Sequence, residues 1–301
     1  MDCIPVYPAF APLTLEMRKE LYPLTDNHPD GACEFPFGSM FLYRQKYAYT
    51  VSKLRDGIVI LAGKEPEHAA SGKTGTFFSV PAGIPSLDEL GVLIEQFDMW
   101  KTVTASQKSA AEALVQAAGC ALEESRNNFD YLYNRGELAE LRGKKFHKKK
   151  NLVNAFLSEC TPQTRPLTAE NVPDARVVLD TWVRLKGEAA DFEQCQEALA
   201  LLSQLGLDGT MVYIEERPVA FSLGESMRNG DMYCVHFEKG IDTYRGIFQY
   251  VNQAAAQAMP DSVVLINREQ DTGDEGLRQA KMTYRPCAFV EKWLVNKPGR
   301  L

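Results

Sequence analysis

The chain has 301 residues, 45% hydrophobic and 24% charged, with a formal net charge of -7. That composition excludes a disordered chain and, at roughly 100–200 residues per domain, predicts two domains. The acidic balance excludes a general nucleic-acid binder and leaves only a local basic patch for that role, and no stretch approaches the ~18 apolar residues of a membrane span.

Thr14 to Leu21 predicts a short helix with Thr14 as its N-cap. Phe41 to Thr50 (FLYRQKYAYT) alternates partially and predicts a strand. Gly57 to Gly63 is a buried apolar strand, and Thr76 to Val80 is another, ended by the Pro81–Gly83 turn. Ser86 caps a helix reaching Phe97, and Ser106 to Ala118 is a helix stopped by Gly119. This alternation is that of a layered α/β arrangement. Asn127 to Phe156 carries a broken helical period with a bend at Gly143. Thr161 to Pro173 holds three prolines and reads as a connection. The expected division is therefore a first domain over 1–125, a basic helical connector over 126–165 and a second domain over 166–301.

In the second half, Ala175 to Lys186 and Phe192 to Leu205 predict helices, the latter ended by Gly206. Three strands follow: Thr210 to Glu215, Pro218 to Ser226 and Met232 to Phe237, the last two joined by a hairpin signal at Asn229-Gly230. Next come a helix from Tyr244 to Met259, a strand from Val263 to Ile266, a helix from Asp274 to Met282 and a strand from Ala288 to Val295. Two helices, an antiparallel meander, then helix, strand, helix and strand is an order that resembles the GNAT acyltransferase fold. The first half reads as a degenerate copy. The fold class is α+β in layers: two tandem GNAT-like domains with mixed, largely antiparallel sheets.

The chain holds seven cysteines and no C-x-x-C, which predicts reduced thiols, a cytoplasmic location and no zinc knuckle. Gly72-Lys73-Thr74 looks like the end of a P-loop, but Glu67 stands where its first glycine belongs, so nucleotide binding is not expected there. Arg142 to Lys150 (RGKKFHKKK) gathers six cations without an acid. On a helix Lys145, Lys148 and Lys149 share a face that suits phosphate-bearing ligands, the backbone of RNA such as tRNA, anionic lipid or CoA, or is simply solvated. His147 reads as a phosphate contact or surface residue, and Cys234 and His236, two apart on a strand, as core or pocket lining rather than a metal site. Lys239 to Gly246 (KGIDTYRG) occupies the place of the GNAT phosphate loop without its glycine pattern, which weakens a CoA reading and leaves room for another activated acyl donor or for Arg245 to take the phosphate contact. Asn267 to Pro286 (NREQDTGDEGLRQAKMTYRP) delivers Arg268, Glu269, Asp271, Arg278, Lys281 and Tyr284 to one strand end and short helix, a ligand-facing edge or a charged turn.

Two segments, YLYNRGELAELRGKKFHKKKNLVNAF and NREQDTGDEGLRQAKMTYRP, resemble the bacterial family of the phosphatidylglycerol lysyltransferase C-terminal domain. The run GLRQAK is also similar to one in the Fem aminoacyltransferases. The resemblance implies acyl or aminoacyl transfer, with acyl-CoA or aminoacyl-tRNA as donor and an amine or hydroxyl, on a small molecule or peptide, as acceptor. It implies that Arg278 and Lys281 hold a phosphate of donor or acceptor. Position suggests Glu238 or Asp271 as base, Tyr284 as acid and strand amides for the oxyanion. The competing expectation is a GNAT-like module that binds tRNA, a nucleotide or a peptide without turnover.

Overall fold

The computed structural model describes residues 3–25, 28–66, 75–187 and 191–297; the Gly72-Lys73-Thr74 run lies outside them. The elements begin with β1 (Ala11–Pro12), α1 (Arg18–Thr25), α2 (Phe37–Tyr43), β2 (Thr50–Lys53), β3 (Val59–Lys64) and β4 (Thr76–Ser79). They continue through α3 (Leu87–Gln96), β5 (Met99–Thr104), α4 (Ala105–Ala117), β6 (Ala121–Glu124), β7 (Asp130–Asn134) and α5 (Arg135–Glu140). Then come α6 (His147–Glu159), β8 (Pro162–Pro166), α7 (Val172–Lys186), α8 (Phe192–Ala200), α9 (Leu202–Leu205), β9 (Asp208–Ile214) and β10 (Arg217–Met227). The chain ends with β11 (Met232–Gly240), α10 (Ile247–Ala258), β12 (Leu265–Asn267), α11 (Glu275–Met282), β13 (Ala288–Val290) and β14 (Lys292–Asn296).

Two sheets result, ordered β1-β2-β3-β4-β5-β14-β6 and β13-β7-β12-β11-β10-β9-β8. Both halves repeat one scheme. An antiparallel meander (β2-β3-β4, then β9-β10-β11) is followed by a helix and by a strand parallel to the meander's last strand, β5 on β4 and β12 on β11. This is the α+β, tandem GNAT-like architecture that the element order implies. Local signals set much of it. Ser86 and Glu89 form a reciprocal capping box at the start of α3, each satisfying an otherwise orphaned backbone N–H.

The division of the chain runs elsewhere than at 125 and 165. One unit comprises the residues up to Tyr131 with Gln270–Gln279 and the segment from Phe289; the other comprises Leu132–Glu269 and Ala280–Ala288. The cause is β14. The last apolar run is not one strand but two, and β14 inserts antiparallel between β5 and β6, with Trp293 facing Val103 on one side and Glu124 on the other. The expected connector is not a separate element, since α5, α6 and β8 belong to the second unit.

Three local readings also change. Phe41 to Thr50 is not a strand along its length: it starts in α2, where Phe37 to Leu42 are all buried and Phe37 and Phe41, one turn apart, stack with centroids 5.9 Å apart, then turns, and only Thr50 enters β2. Asn127 to Phe156 opens with β7 before its helices, and the break comes where Leu141 adopts φ 48° and Gly143 φ 86°. The proline-rich connection contains β8, an edge strand where proline's missing N–H is tolerated.

The first unit packs around Phe78, Trp100 and Val103, all fully buried, and the second around Phe156, Phe221 and Val251. Gly246 precedes α10 with φ 89°, and a Cβ there would stand 2.1 Å from the Leu152 carbonyl oxygen of α6. Gly246→Ala is accordingly expected to cost about 1–3 kcal/mol in urea unfolding, through overpacking and strain together. A loss below 0.5 kcal/mol, on the order of a neutral surface change, would show that α6 yields freely.

Candidate functional site

In the second unit β11 and β12 run parallel but pair only from Met232 with Leu265 to Cys234 with Asn267. Beyond that point β11 continues to Gly240 while the chain after Asn267 leaves the ladder, so the parallel pairing ends there, at a junction called the wedge below. The register with β10 steps from Val235 to Phe237, which makes His236 the extra residue of a β-bulge. Bulges re-aim side chains and recur beside active sites.

Four of the residues singled out from sequence meet here. The Glu238 carboxylate accepts from Arg268 Nη2 at 2.9 Å and from Asn252 Nδ2 at 3.2 Å. The Arg268 guanidinium lies 5.1 Å from the centroid of the buried Tyr284 ring. Lys149 Nζ sits over the same ring at 3.9 Å. Among the described residues the Lys149 ammonium forms no ion pair. Burial, reinforced by the nearby Arg268 charge, lowers its pKa to about 8. Burial pushes the Tyr284 hydroxyl up to about 12, although Arg268 pulls the other way. At neutral pH the cluster thus combines a partly deprotonated amine, a fixed ion pair and a firmly protonated phenol.

Lys281 braces this site: its Nζ donates to the carbonyl oxygens of Arg268, at 2.6 Å, and Glu269, at 3.0 Å. Lys149 turns inward because α6 starts only at His147, which puts Lys149, Val153 and Phe156 on one helical face, the last two buried. The basic run therefore does not present one cationic face. Lys145 lies in a 3-10 turn and pairs with Glu137 at 2.5 Å, Arg142 pairs with Glu140, and Lys144, Lys148 and Lys150 are exposed. Arg245 is exposed too, beside the Gly246 turn against which the α6 backbone packs.

Asp271 and Arg278 belong to the first unit. The fully buried Asp271 carboxylate accepts from Arg278 Nε at 2.9 Å, the Tyr131 hydroxyl at 2.6 Å and the Gly273 N–H at 2.8 Å. Burial alone raises its pKa; these donors outweigh that and hold it at about 2. A carboxylate so held is a poor proton acceptor, which argues against Asp271 as the expected base. The sign follows: its stabilising share is complete above the ordinary aspartate range and is lost as pH falls towards 2. Asp271→Asn should therefore lower stability at pH 7 and flatten the loss of stability between about pH 4 and pH 2. Chemical unfolding at stepped pH checks this, and an unchanged slope would contradict it.

Sequence reasoning missed two buried clusters. In the second unit His236 Nε2 lies 2.9 Å from Glu225 and Nδ1 lies 2.8 Å from Glu269, with Cys234 Sγ 3.7 Å from Nδ1. Burial lowers this imidazole, but the Cys234 sulfur and both carboxylates outweigh it and lift it well above its ordinary value. The shared face of Cys234 and His236 was legible from their spacing; the two glutamates, distant in sequence, were not. In the first unit Lys292 Nζ lies 2.5 Å from both Glu34 and Asp130, beside Cys33. No local pattern marks that arrangement.

The profile of the family described as "Phosphatidylglycerol lysyltransferase, C-terminal" matches residues 27–296. A solved protein of unknown function from Bacteroides thetaiotaomicron VPI-5482 superposes with a TM-score of 0.83 at 25% identity, over 95% of this chain and 98% of that one. L-PGS from Bacillus licheniformis superposes with a TM-score of 0.64 at 15% identity, over 100% of this chain and 95% of that one, a likeness of fold. An uncharacterized protein of Mycoplasmoides gallisepticum (strain R) is 25% identical over 183 residues, so this chain spans 58% of that relative's length. Among the described residues no helix is long and apolar enough to cross a membrane.

Proposed function

Since this chain belongs to the family of the phosphatidylglycerol lysyltransferase C-terminal domain, we propose that it transfers an aminoacyl group from aminoacyl-tRNA to an amine or hydroxyl acceptor. The observation that carries this reading is the wedge between β11 and β12, with Lys149, Glu238, Arg268 and Tyr284 gathered at it. The acceptor attacks the ester carbonyl, and the neutral Lys149 amine takes its proton. The Arg268 guanidinium, held by Glu238, opposes the charge that develops on the carbonyl oxygen. The Tyr284 hydroxyl gives a proton to the departing ribose oxygen. Glu238, engaged by two donors, positions Arg268 instead of acting as base. Packing of α6 against Gly246, where a GNAT phosphate loop would stand, favours aminoacyl-tRNA over acyl-CoA as donor. Exposed Lys144, Lys148 and Lys150 suit the phosphates of the tRNA backbone.

The test offers labelled aminoacyl-tRNAs with separate acceptors: phosphatidylglycerol vesicles, small amines and amine-bearing peptides. Label reaching one class supports transfer and identifies the acceptor. No transfer to any class, with tRNA binding still weakened by Lys148→Ala and Lys150→Ala, would leave a binding module instead.

A further inference from the structure

The cluster at the base of the wedge points beyond transfer. Cys234, His236 and Glu269 each offer one ligand atom, and these atoms all lie within 4.8 Å of one another. Thiolate, imidazole and carboxylate are the three donor types that zinc takes, at bond lengths of about 2.0–2.3 Å, which puts tetrahedral neighbours roughly 3.5 Å apart. The 3.7 Å between Cys234 Sγ and His236 Nδ1 matches that spacing. The 2.8 Å between Nδ1 and the Glu269 carboxylate is a hydrogen bond that must open by on the order of half an ångström. Glu269 has the freedom for it, because its side chain is 22% exposed while that of His236 is 1%.

A second observation is the other ring nitrogen. His236 Nε2 meets the buried Glu225 carboxylate at 2.9 Å, with the Glu225 side chain only 3% exposed. Metal-binding histidines nearly always direct their free ring nitrogen to a carboxylate or carbonyl, which fixes the tautomer and raises basicity. The comparison with the first unit is instructive. Cys33, Glu34 and Asp130 are just as close together, but there the Lys292 ammonium stands 2.5 Å from both carboxylates and supplies the positive charge itself. Glu269 forms no ion pair with a lysine or arginine among the described residues.

We infer that Cys234, His236 and Glu269 bind a divalent zinc-type cation, with Glu225 orienting the imidazole and a fourth position open to water. Binding replaces the proton on His236 Nδ1 and the thiol proton of Cys234; the metal enters, two protons leave, and no electron moves. The ion would tie β11 to the end of β12 where their pairing stops, two residues from Glu238 and next to Arg268. It would thereby fix the base of the wedge.

The test uses the full chain, reduced and stripped with chelator, and titrated with Co²⁺. The expected result is a spectrum that saturates at one equivalent, combining tetrahedral ligand-field bands with a sulfur-to-cobalt charge-transfer band, and that Zn²⁺ displaces. Cys234→Ser should lose the charge-transfer band, Glu269→Gln should weaken binding by more than about tenfold, since even loss of a group that only supports a ligand typically costs that much, and Cys33→Ser should change neither. His236→Gln adds a further check where circular dichroism shows it folded. No saturable spectrum in the unaltered chain, or a spectrum lost in Cys33→Ser and kept in Cys234→Ser, would overturn the inference. Because the readout is binding, failure of the transfer reading leaves it standing, and the reverse holds.

Discussion

Lys292→Met is expected to destabilise the first unit by about 3–5 kcal/mol, the usual cost of removing one partner from a buried ion pair. Lys292 is 1% exposed, and Asp130 is fully buried. With the ammonium gone, the Asp130 and Glu34 carboxylates face each other across the space it filled. Asp130 keeps two donors, the Cys33 N–H at 2.8 Å and the Cys33 thiol at 3.1 Å. Burial already pushes the Glu34 carboxyl upward against the pull of Lys292, so the variant should relieve part of its strain by binding a proton there. Adding Glu34→Gln should therefore recover a measurable part of the loss, a coupling that distant independent sites do not show. Urea unfolding of the two single variants and the double variant measures this. A single-variant loss under about 1 kcal/mol, the scale of an exposed pair, would mean that water already reaches the cluster.

Lys292 also illustrates what the sequence could and could not convey. Its neighbourhood, EKWLVN, reads correctly as a strand, because an apolar run is a local property. That the strand lies between β5 and β6, far back in the chain, is a property of pairing, which local pattern does not encode. The same distinction separates the other outcomes. The Ser86 cap and the β9-β10-β11 meander were legible because their signals lie within a few residues. The aromatic run from Phe41 misled because a helix buried on all sides shows no polar face to set its period.

The site follows the same logic. Glu238 and Arg268 stand near strand ends, as their positions in the sequence implied, and Tyr284, just after α11, packs against Arg268. Lys149 was found as a cation but placed on the wrong face. The apolar positions Val153 and Phe156 at i+4 and i+7 already mark its side of α6 as the inward one. Asp271 and Arg278, by contrast, stand only three and ten residues after Arg268 in the chain and belong to the other unit. Spacing of that kind carries no signal of which unit a side chain joins.

Lys149→Met is the second large effect, an expected fall of about 10²–10⁴-fold in kcat/KM for aminoacyl transfer, the usual contribution of a positioned proton acceptor. On the proposed mechanism the neutral amine is the active form, and its pKa is lowered to about 8. The rate should therefore rise with pH and level off above about pH 8, and the variant should lose that rise. Lys149→Arg separates charge from basicity, since a guanidinium keeps the cation but does not give up its proton in this range. If Lys149 only holds tRNA phosphate, Lys149→Arg should retain most activity, and both variants should act through KM. If it takes the acceptor's proton, Lys149→Arg should be nearly as impaired as Lys149→Met, with the loss in kcat. Tyr284→Phe tests the other end of the transfer: it keeps the ring beneath Lys149 and removes only the hydroxyl. Its loss should grow as the leaving group is made more basic. A Tyr284→Phe enzyme indifferent to the leaving group, together with an unaltered pH profile in Lys149→Met, would remove both residues from the chemistry.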